Sequence, residues 1–314
     1  MTDEMNTAQQ WLSAFEQALG GDDTAAVTDL FDQECYWRDL VSLTWNLHTA
    51  EGAEQIQDML EGTPKGLRPR NIRATEAADA DGVIEAWFEF DNDAFTGKGL
   101  VRLREGKAWT LLTTAQELAD FPENKGTRRP LGAEHGNPAQ DKNWLDRQKE
   151  RQARLGYEDQ PYVVVVGGGQ GGIGLGARLK QLGVPTLIID KHPRPGDQWR
   201  GRYHSLCLHD PVWYDHLPYL PFPANWPVFT PKDKIGDWLE SYTKIMELDY
   251  WSNTECVSAD YDEDAQQWTV NVMRDGQPVT LKPTQLVLAT GMSGVPNMPS
   301  IPGMETFKGE IQHS

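Results

Sequence analysis

Residues 162–190 read YVVVVGGGQGGIGLGARLKQLGVPTLIID, and the rest of the chain is organised around them. The four valines Val163, Val164, Val165 and Val166 show no alternation, as expected of a parallel strand buried on both faces. Gly167, Gly169 and Gly172 follow at once. That spacing permits a tight turn, close approach of backbone amides to a pyrophosphate, and close packing of the next helix, whose N-terminus favours the anion. Gly176 and Leu179 share one face of that helix. After Gly183 a second apolar run, 186–189, ends in Asp190, about twenty residues past the glycines, where the dinucleotide fingerprint places its ribose-binding acid. A carboxylate there accepts from ribose hydroxyls and repels a 2'-phosphate, which favours FAD or NAD over NADP, while Lys191 beside it leaves NADP open.

The totals narrow the class. A chain of 314 residues is long enough for two domains, each with its own core. With 47 acidic against 29 basic side chains the net charge is -18, which disfavours nucleic acid as a partner. Residues 1–10 are polar and acidic, and no apolar run approaches bilayer length, so neither export nor membrane insertion is expected. Cys35, Cys207 and Cys256 are odd in number and widely separated, forming neither a disulfide framework nor a C-x-x-C redox or metal pair. A reducing cytoplasm suits them, and no metal centre is expected.

Ahead of the glycine stretch lies a region of different character. Trp11, Leu12, Phe15 and Leu19 fall at helical spacing over 8–19, and Gly20-Gly21 ends the pattern. A short helix is predicted over 24–31, its start favoured by Asp22 and Asp23, and a third over 51–61, closed by Gly62 and Pro64. Residues 35–47 are rich in strand formers. From 71 to 117 the period becomes two: Ile84, Ala86, Phe88 and Phe90 share one strand face, Glu85 and Glu89 the other. Strands over 99–104 and 108–115 meet at Glu105-Gly106-Lys107. Helices followed by an antiparallel meander describe an α+β domain over 1–120.

This order of elements and its aromatics resemble the cone-shaped barrels of the nuclear-transport-factor-two and ketosteroid-isomerase superfamily. The resemblance draws attention to Tyr36, Asp39, His48 and Asp93 as residues that could line such a cone. No spacing ties them together, so the favoured reading is an accessory domain, with a homodimer formed through it as the partner expected. Residues 121–160 read as a linker broken by Pro122, Gly126, Pro130, Gly132, Gly136 and Pro138, with a helix over 141–155.

Beyond Asp190 come Gly196, Asp197, Gln198, Trp199 and Arg200, a glycine turn presenting an indole and a guanidinium. Arg202, Tyr203, His204, His209, Asp210, Trp213, Tyr214 and His216 follow on a non-periodic segment, a mixture suited to a pocket lining. A helix begins near 231, with Ile235, Trp238, Leu239, Tyr242 and Ile245 as its stripe. Strands over 250–261, 267–274 and 279–283 read as an antiparallel excursion with a turn at Asp275-Gly276. A buried run over 286–289 then reaches Ala289, Thr290 and Gly291, a strand-end position at which α/β sheets bind ligands.

Together, Gly167-x-Gly169-x-x-Gly172, Asp190, Gly196-Asp197-Gln198-Trp199, Ala289-Thr290-Gly291 and Phe307-x-Gly309-x-x-x-His313-Ser314 resemble the flavin-containing monooxygenases and related class B flavoprotein hydroxylases over 162–314. The resemblance implies a Rossmann-like FAD-binding domain over 161–314. It also implies an enzyme in which NADPH reduces FAD and a flavin C4a-hydroperoxide passes oxygen to a small organic substrate. By the same resemblance Gly167, Gly169 and Gly172 hold the pyrophosphate and Asp190 the adenosine ribose, while Trp199 and Arg200 approach the flavin. Val257 lies where a strand backbone meets adenine. Gly171, Lys191, Gly196, Gln198, Ala289, Thr290 and Gly291 complete the cofactor contacts, and His209 is the candidate for tuning the peroxide. The family carries a second glycine fingerprint for NADPH soon after the Phe-x-Gly-x-x-x-His-Ser stretch, and this sequence stops at Ser314. The expectation is therefore an N-terminal fragment, its FAD domain incomplete and inactive alone. The competing class is a non-catalytic dinucleotide-binding or dimerisation module; a dithiol-disulfide flavoprotein would need a cysteine pair that the spacing does not offer.

Overall fold

The computed structural model describes residues 2–21, 23–132, 142–292, 294 and 297–311. Asp22, Gly136, Pro138, His313 and Ser314, named above, and Asp141, the first residue of the helix predicted over 141–155, lie outside the described residues. The chain divides into two compact units, Met1–Glu123 and Asn124–Ser314.

In the first unit helix α1 (Asp3–Gly20) begins where the Thr2 hydroxyl accepts from the Met5 amide, ahead of the apolar stripe, because a cap and not a core contact sets that end. Its buried face carries Trp11, Leu12, Phe15 and Leu19. Helix α2 (Thr24–Thr28) stops short of the predicted end, and Phe31 instead opens strand β1 (Phe31–Leu40). There Phe31 meets Trp11 edge-on at 5.9 Å and stacks on Trp37 at 6.1 Å, a tertiary gain that outweighs one more helical turn. Strand β2 (Leu47–Glu51), helix α3 (Gly52–Glu61) and strands β3 (Arg70–Ala80), β4 (Val83–Asp91), β5 (Phe95–Arg104) and β6 (Lys107–Leu118) complete the unit.

The sheet order is β2-β1-β6-β5-β4-β3. All neighbours are antiparallel except β1 and β6, which run parallel, Tyr36 opposite Thr110 and Asp39 opposite Thr113. The expected meander is therefore only β3 to β6, and the first strand is laid beside the last. On β5, Gly97 and Gly99 make room for Phe90 and Phe88 of β4; an added methyl would stand 2.2 or 2.1 Å from a ring carbon.

Asp39 is fully buried. Its carboxylate accepts from the Ser42 hydroxyl (2.5 Å), the Thr113 hydroxyl (3.0 Å), the Leu43 amide (3.0 Å), and the amide and hydroxyl of Thr44 (both 2.9 Å). Five donors saturate a carboxylate, so this side chain fastens the turn after β1, where Val41 and Trp45 adopt positive φ (74° and 55°). Tyr36 donates to Glu34, Asp93 pairs with Arg70 at 2.7 Å, and His48 is exposed on β2.

The second unit opens with helix α4 (Trp144–Arg154), closed at its start by a capping box of Asn143 and Asp146. Trp144 and Leu145 are exposed, and the helix is held by Gln148 to Glu247 and by the Arg151–Asp249 ion pair. Strand β7 (Val163–Val166), helix α5 (Gln170–Gln181), strand β8 (Thr186–Ile189), the short helix α6 (Asp197–Arg200), helix α7 (Lys232–Ile245) and strand β9 (Tyr250–Trp251) follow. Strands β10 (Thr254–Asp262), β11 (Gln267–Arg274) and β12 (Gln277–Leu281) form a separate antiparallel sheet, after which β13 (Gln285–Leu288) returns.

The main sheet is parallel throughout, in the order β13-β7-β8-β9. The predicted strand over 250–261 is thus two elements: Tyr250 and Trp251 join the parallel sheet, and Asn253, at φ 48°, turns the chain into β10. Leu288, Val166 and Ile189 sit side by side, so the residues after them, Ala289, Gly167 and Asp190, gather at one end of the sheet. This is a Rossmann-like arrangement.

Candidate functional site

Each strand end contributes one fixed element. Gly167 has φ 110°, and its N–H donates to the Ile189 carbonyl at 2.9 Å. A Cβ there would lie 2.4 Å from the Ala289 carbonyl oxygen, so only glycine lets β13 pass so close. At Gly172 a Cβ would lie 1.9 Å from the Gly167 carbonyl oxygen, which fixes how tightly α5 enters behind the turn. Gly171 has open space above it, and Gly169, just before α5, has the Gln198 amide nitrogen 3.3 Å from where a Cβ would be. The first N–H groups of α5 have no intrahelical acceptor and carry the positive end of the helix dipole.

Over this cradle stands Gln198, whose Oε1 and Nε2 are both buried with no hydrogen-bond partner among the described residues. An orphaned buried amide costs about 1–3 kcal/mol unless a ligand satisfies it, and it stands beside amides suited to an anion. The donor set thus fits a pyrophosphate-bearing ligand.

Asp190 is buried, 8% exposed. One carboxylate oxygen accepts from the Gly168 N–H at 2.6 Å; the other accepts from the His192 N–H at 2.9 Å and lies 2.6 Å from His192 Nδ1. Lys191 is exposed. Gly168 is also covered by Tyr250, whose hydroxyl donates to the Gly168 carbonyl at 3.3 Å. Burial, and then the charges of Asp190 and Asp197, push the Tyr250 phenol far above its ordinary value, so it stays a neutral donor. Neither Gly168, His192 nor Tyr250 is among the residues expected from the fingerprint. The run of three glycines, 167–169, is the only trace of Gly168 in the sequence.

The turn after β8 is built on α7. Gly196 has φ 87°, and a Cβ there would lie 2.2 Å from the Gly236 carbonyl oxygen. The Arg200 guanidinium donates to Asp197 (2.8 Å), Asp237 (2.8 Å), Glu240 (3.1 Å) and the Pro195 carbonyl (3.0 Å). Although burial opposes its charge, Asp197 is held below the usual carboxylate range by Arg200 and Arg194. Arg200 therefore faces α7, anchoring the turn that carries Gln198 and Trp199. Trp199 donates to the Gln170 side chain at 3.1 Å.

A cleft of about 470 Å³ opens beside these residues, lined by Gly171, Trp199, His209, Asp215, Trp238 and their neighbours. Asp215 Oδ2 is buried in it without a partner among the described residues. Burial first, and the nearby Asp210 charge second, raise this carboxyl's pKa, opposed by His216. His209 is exposed at the cleft.

Other expected residues stand apart. Val257 is 62% exposed at a bulge of β10, and Thr290 and Gly291 are exposed beyond β13. Cys35, Cys207 and Cys256 are free thiols. Among the described residues no helix is long and apolar enough to cross a membrane.

Comparison with known proteins places the second unit. A family model described as pyridine nucleotide-disulphide oxidoreductase matches residues 161–314. The chain is 32% identical over 155 residues to a probable indole-3-pyruvate monooxygenase, YUCCA4, of Arabidopsis thaliana, covering 49% of this chain and 37% of that protein. It is 36% identical over 137 residues to an uncharacterized CzcO-like oxidoreductase of Geobacillus kaustophilus, covering 44% and 38%. Among solved structures, a flavin-containing monooxygenase from Stenotrophomonas maltophilia is 28% identical with a TM-score of 0.42, covering 48% of this chain and 44% of that one. The chain thus spans well under half the length of the curated relatives it matches. Over residues 161–314 the chain is thus similar to the pyridine nucleotide-disulphide oxidoreductase family and, within that stretch, to flavin-dependent monooxygenases.

Proposed function

We propose that the second unit binds FAD and serves an NADPH-using monooxygenase acting on a small organic substrate. The observation that carries this reading is the glycine cradle at the start of α5, with the unsatisfied Gln198 amide beside it. In this reading Gly169 and Gly171 offer backbone to the pyrophosphate while Gly167 and Gly172 shape the turn. Gln198 supplies a polar contact, and Asp190 and Lys191 stand on the adenosine side with Val257 further along. Trp199 and His209 line the cleft for the flavin end, Gly196 and Arg200 hold that wall in place, and Ala289, Thr290 and Gly291 border the opposite side. When bound there, FAD would supply the redox chemistry, with NADPH as reductant and dioxygen as the source of the one oxygen atom transferred, the other leaving as water. The chain's part is to orient the cofactor, exclude water and present Asp215 and His209 to the cleft as hydrogen-bonding groups.

For the first unit the proposal is an accessory role. Its mixed sheet, covered by α1 to α3, supports a cone-like barrel of the nuclear-transport-factor-two kind; self-association through it, a domain limit near 120 ahead of a linker to 160, and a cytoplasmic location complete the reading.

The test is a titration of the 314-residue chain with FAD, followed by flavin fluorescence and by calorimetry. Gly169→Val should fold, because its Cβ meets only the movable end of Gln198, and should lose FAD binding at least tenfold by obstructing the pyrophosphate. Undiminished binding by the folded variant sinks the assignment.

A further inference from the structure

The loop that carries Asp215 is fastened on both sides of it. Ahead of it the Val212 N–H donates to the Val228 carbonyl at 2.8 Å. Behind it His216 Nδ1 accepts from the Phe222 N–H at 3.0 Å, and the Pro218 carbonyl accepts from the Tyr242 hydroxyl at 2.5 Å. Tyr242 is buried and Tyr219 is held at φ 71°, so contacts, and not local preference, set the course of this loop. Asp215 therefore meets the cleft from a fixed position.

Its surroundings there are apolar or acidic. Leu208, Leu217 and Ile235 line the cleft, Asp210 is the other carboxylate, and no lysine or arginine is among the described residues that line it. Burial and then the Asp210 charge raise the Asp215 carboxyl, which places the two acids within electrostatic reach of each other. Trp199, Tyr214, Phe222 and Trp238 also stand in the walls, surfaces on which a flat ring packs.

Two atoms of these lining residues are buried without a partner among the described residues: Asp215 Oδ2, an acceptor, and Trp238 Nε1, a donor. Buried polar groups are ordinarily paired within a fold, so two left open at one cleft call for a partner from outside it. A carboxylate on a ligand could accept from Trp238 but has nothing to give Asp215. It would also add a third negative charge where no cation lines the wall. A carboxamide or a hydroxyl can both accept and donate.

We propose that this cleft takes a small ring-bearing molecule without negative charge whose polar group both donates and accepts, and that Asp215 is the specificity-determining residue that refuses the corresponding carboxylate. The proposal rests on the monooxygenase reading only in making that molecule the substrate.

Phenylacetamide and phenylacetate share one shape and differ in this one group. Their binding to the intact 314-residue chain, by calorimetry at pH 8 with and without FAD, tests the assignment. The parent should bind phenylacetamide about tenfold more tightly than phenylacetate, the size expected of one like-charge contact near a protein surface. Asp215→Asn should bring that ratio to about one by tightening phenylacetate. Trp238→Phe, which keeps an aromatic ring and removes the donor, should weaken both probes and leave the ratio at about tenfold. A parent ratio near one, or a ratio that Asp215→Asn leaves unchanged, overturns the proposal. So does phenylacetamide binding that saturating FAD abolishes, because the cleft then belongs to the flavin ring. A chain that takes up no FAD but shows the expected ratios loses the FAD reading and keeps this subsite. One that binds FAD and neither probe loses the subsite and keeps the FAD reading.

Discussion

At Gly172 a single hydrogen separates a working turn from a collision. A methyl would lie 1.9 Å from the Gly167 carbonyl oxygen, and that oxygen belongs to backbone that cannot swing aside. Gly172→Ala should therefore cost about 3 kcal/mol, at the upper end of ordinary overpacking, read as a fall in denaturation midpoint at constant m-value. Asp215 is expected to behave in the opposite sense. Burial raises its carboxyl pKa in the folded chain, so between the ordinary carboxylate pKa and the raised one the native state holds more protons than the unfolded state. Stability then falls as pH rises through that window. Asp215→Asn, which cannot ionise, should melt at a higher temperature than the parent at pH 7, and the gain should vanish as the pH falls towards 4. A gain that persists at pH 4 would mean that packing, not charge, is responsible. Asp39 illustrates why burial alone is a poor guide to chemistry: five donors satisfy it, whereas Asp215 Oδ2 has none among the described residues.

Between elements, the contact of α6 with α7 turns on Arg200, whose side chain is 13% exposed and faces three carboxylates. Removing it leaves Asp197 with only the longer Arg194 contact, and Glu240 with Arg194 and Lys244. Arg200→Ala should destabilise by about 2 kcal/mol, the figure for a broken buried pair discounted because Asp237 is solvent-exposed. Arg200→Lys should recover only part, since an ammonium cannot reproduce the fork; full recovery in thermal melts would show that charge alone suffices. The same scale separates what a sequence discloses from what it conceals. The β7-α5-β8 unit is readable because its signals are local: an unbroken valine run, glycines at fixed offsets, an acid at the next strand end. The parallel pairing of β1 with β6 is not, because nothing in either strand's own pattern specifies a partner so far along the chain. Strand β9 is two residues long and has no period to detect. Gly168 escapes notice for a related reason, as its need for glycine arises from Tyr250, 82 residues later. Arg200 is conspicuous as a residue type, but the direction of its guanidinium depends on Asp237 and Glu240 across a helix contact.

For the molecule as a whole, the two units have separate cores, one built on Trp11, Phe15, Trp37 and Phe88, the other on Val165, Ile173, Ile188 and Leu239. A segment of residues 1–123 is expected to fold alone, with one cooperative transition by circular dichroism and by tryptophan fluorescence; non-coincident or absent transitions would show that it depends on the rest. Both units share one property of order. In the first, β6 lies between β1 and β5; in the second, β7 lies between β13 and β8. Each sheet therefore pairs an early strand with one made much later in the same unit. As the chain is synthesised, Trp37 waits for Thr113, 76 residues on, before its indole N–H finds an acceptor, and Val163 to Val166 wait for Gln285 to Leu288. Until then the valine strand presents an open, uncharged edge of the kind that recruits other chains. The interval between residue 166 and residue 288 is thus when a nascent chain of this protein most needs a chaperone, and a ribosome that stalls within it releases a product prone to aggregate.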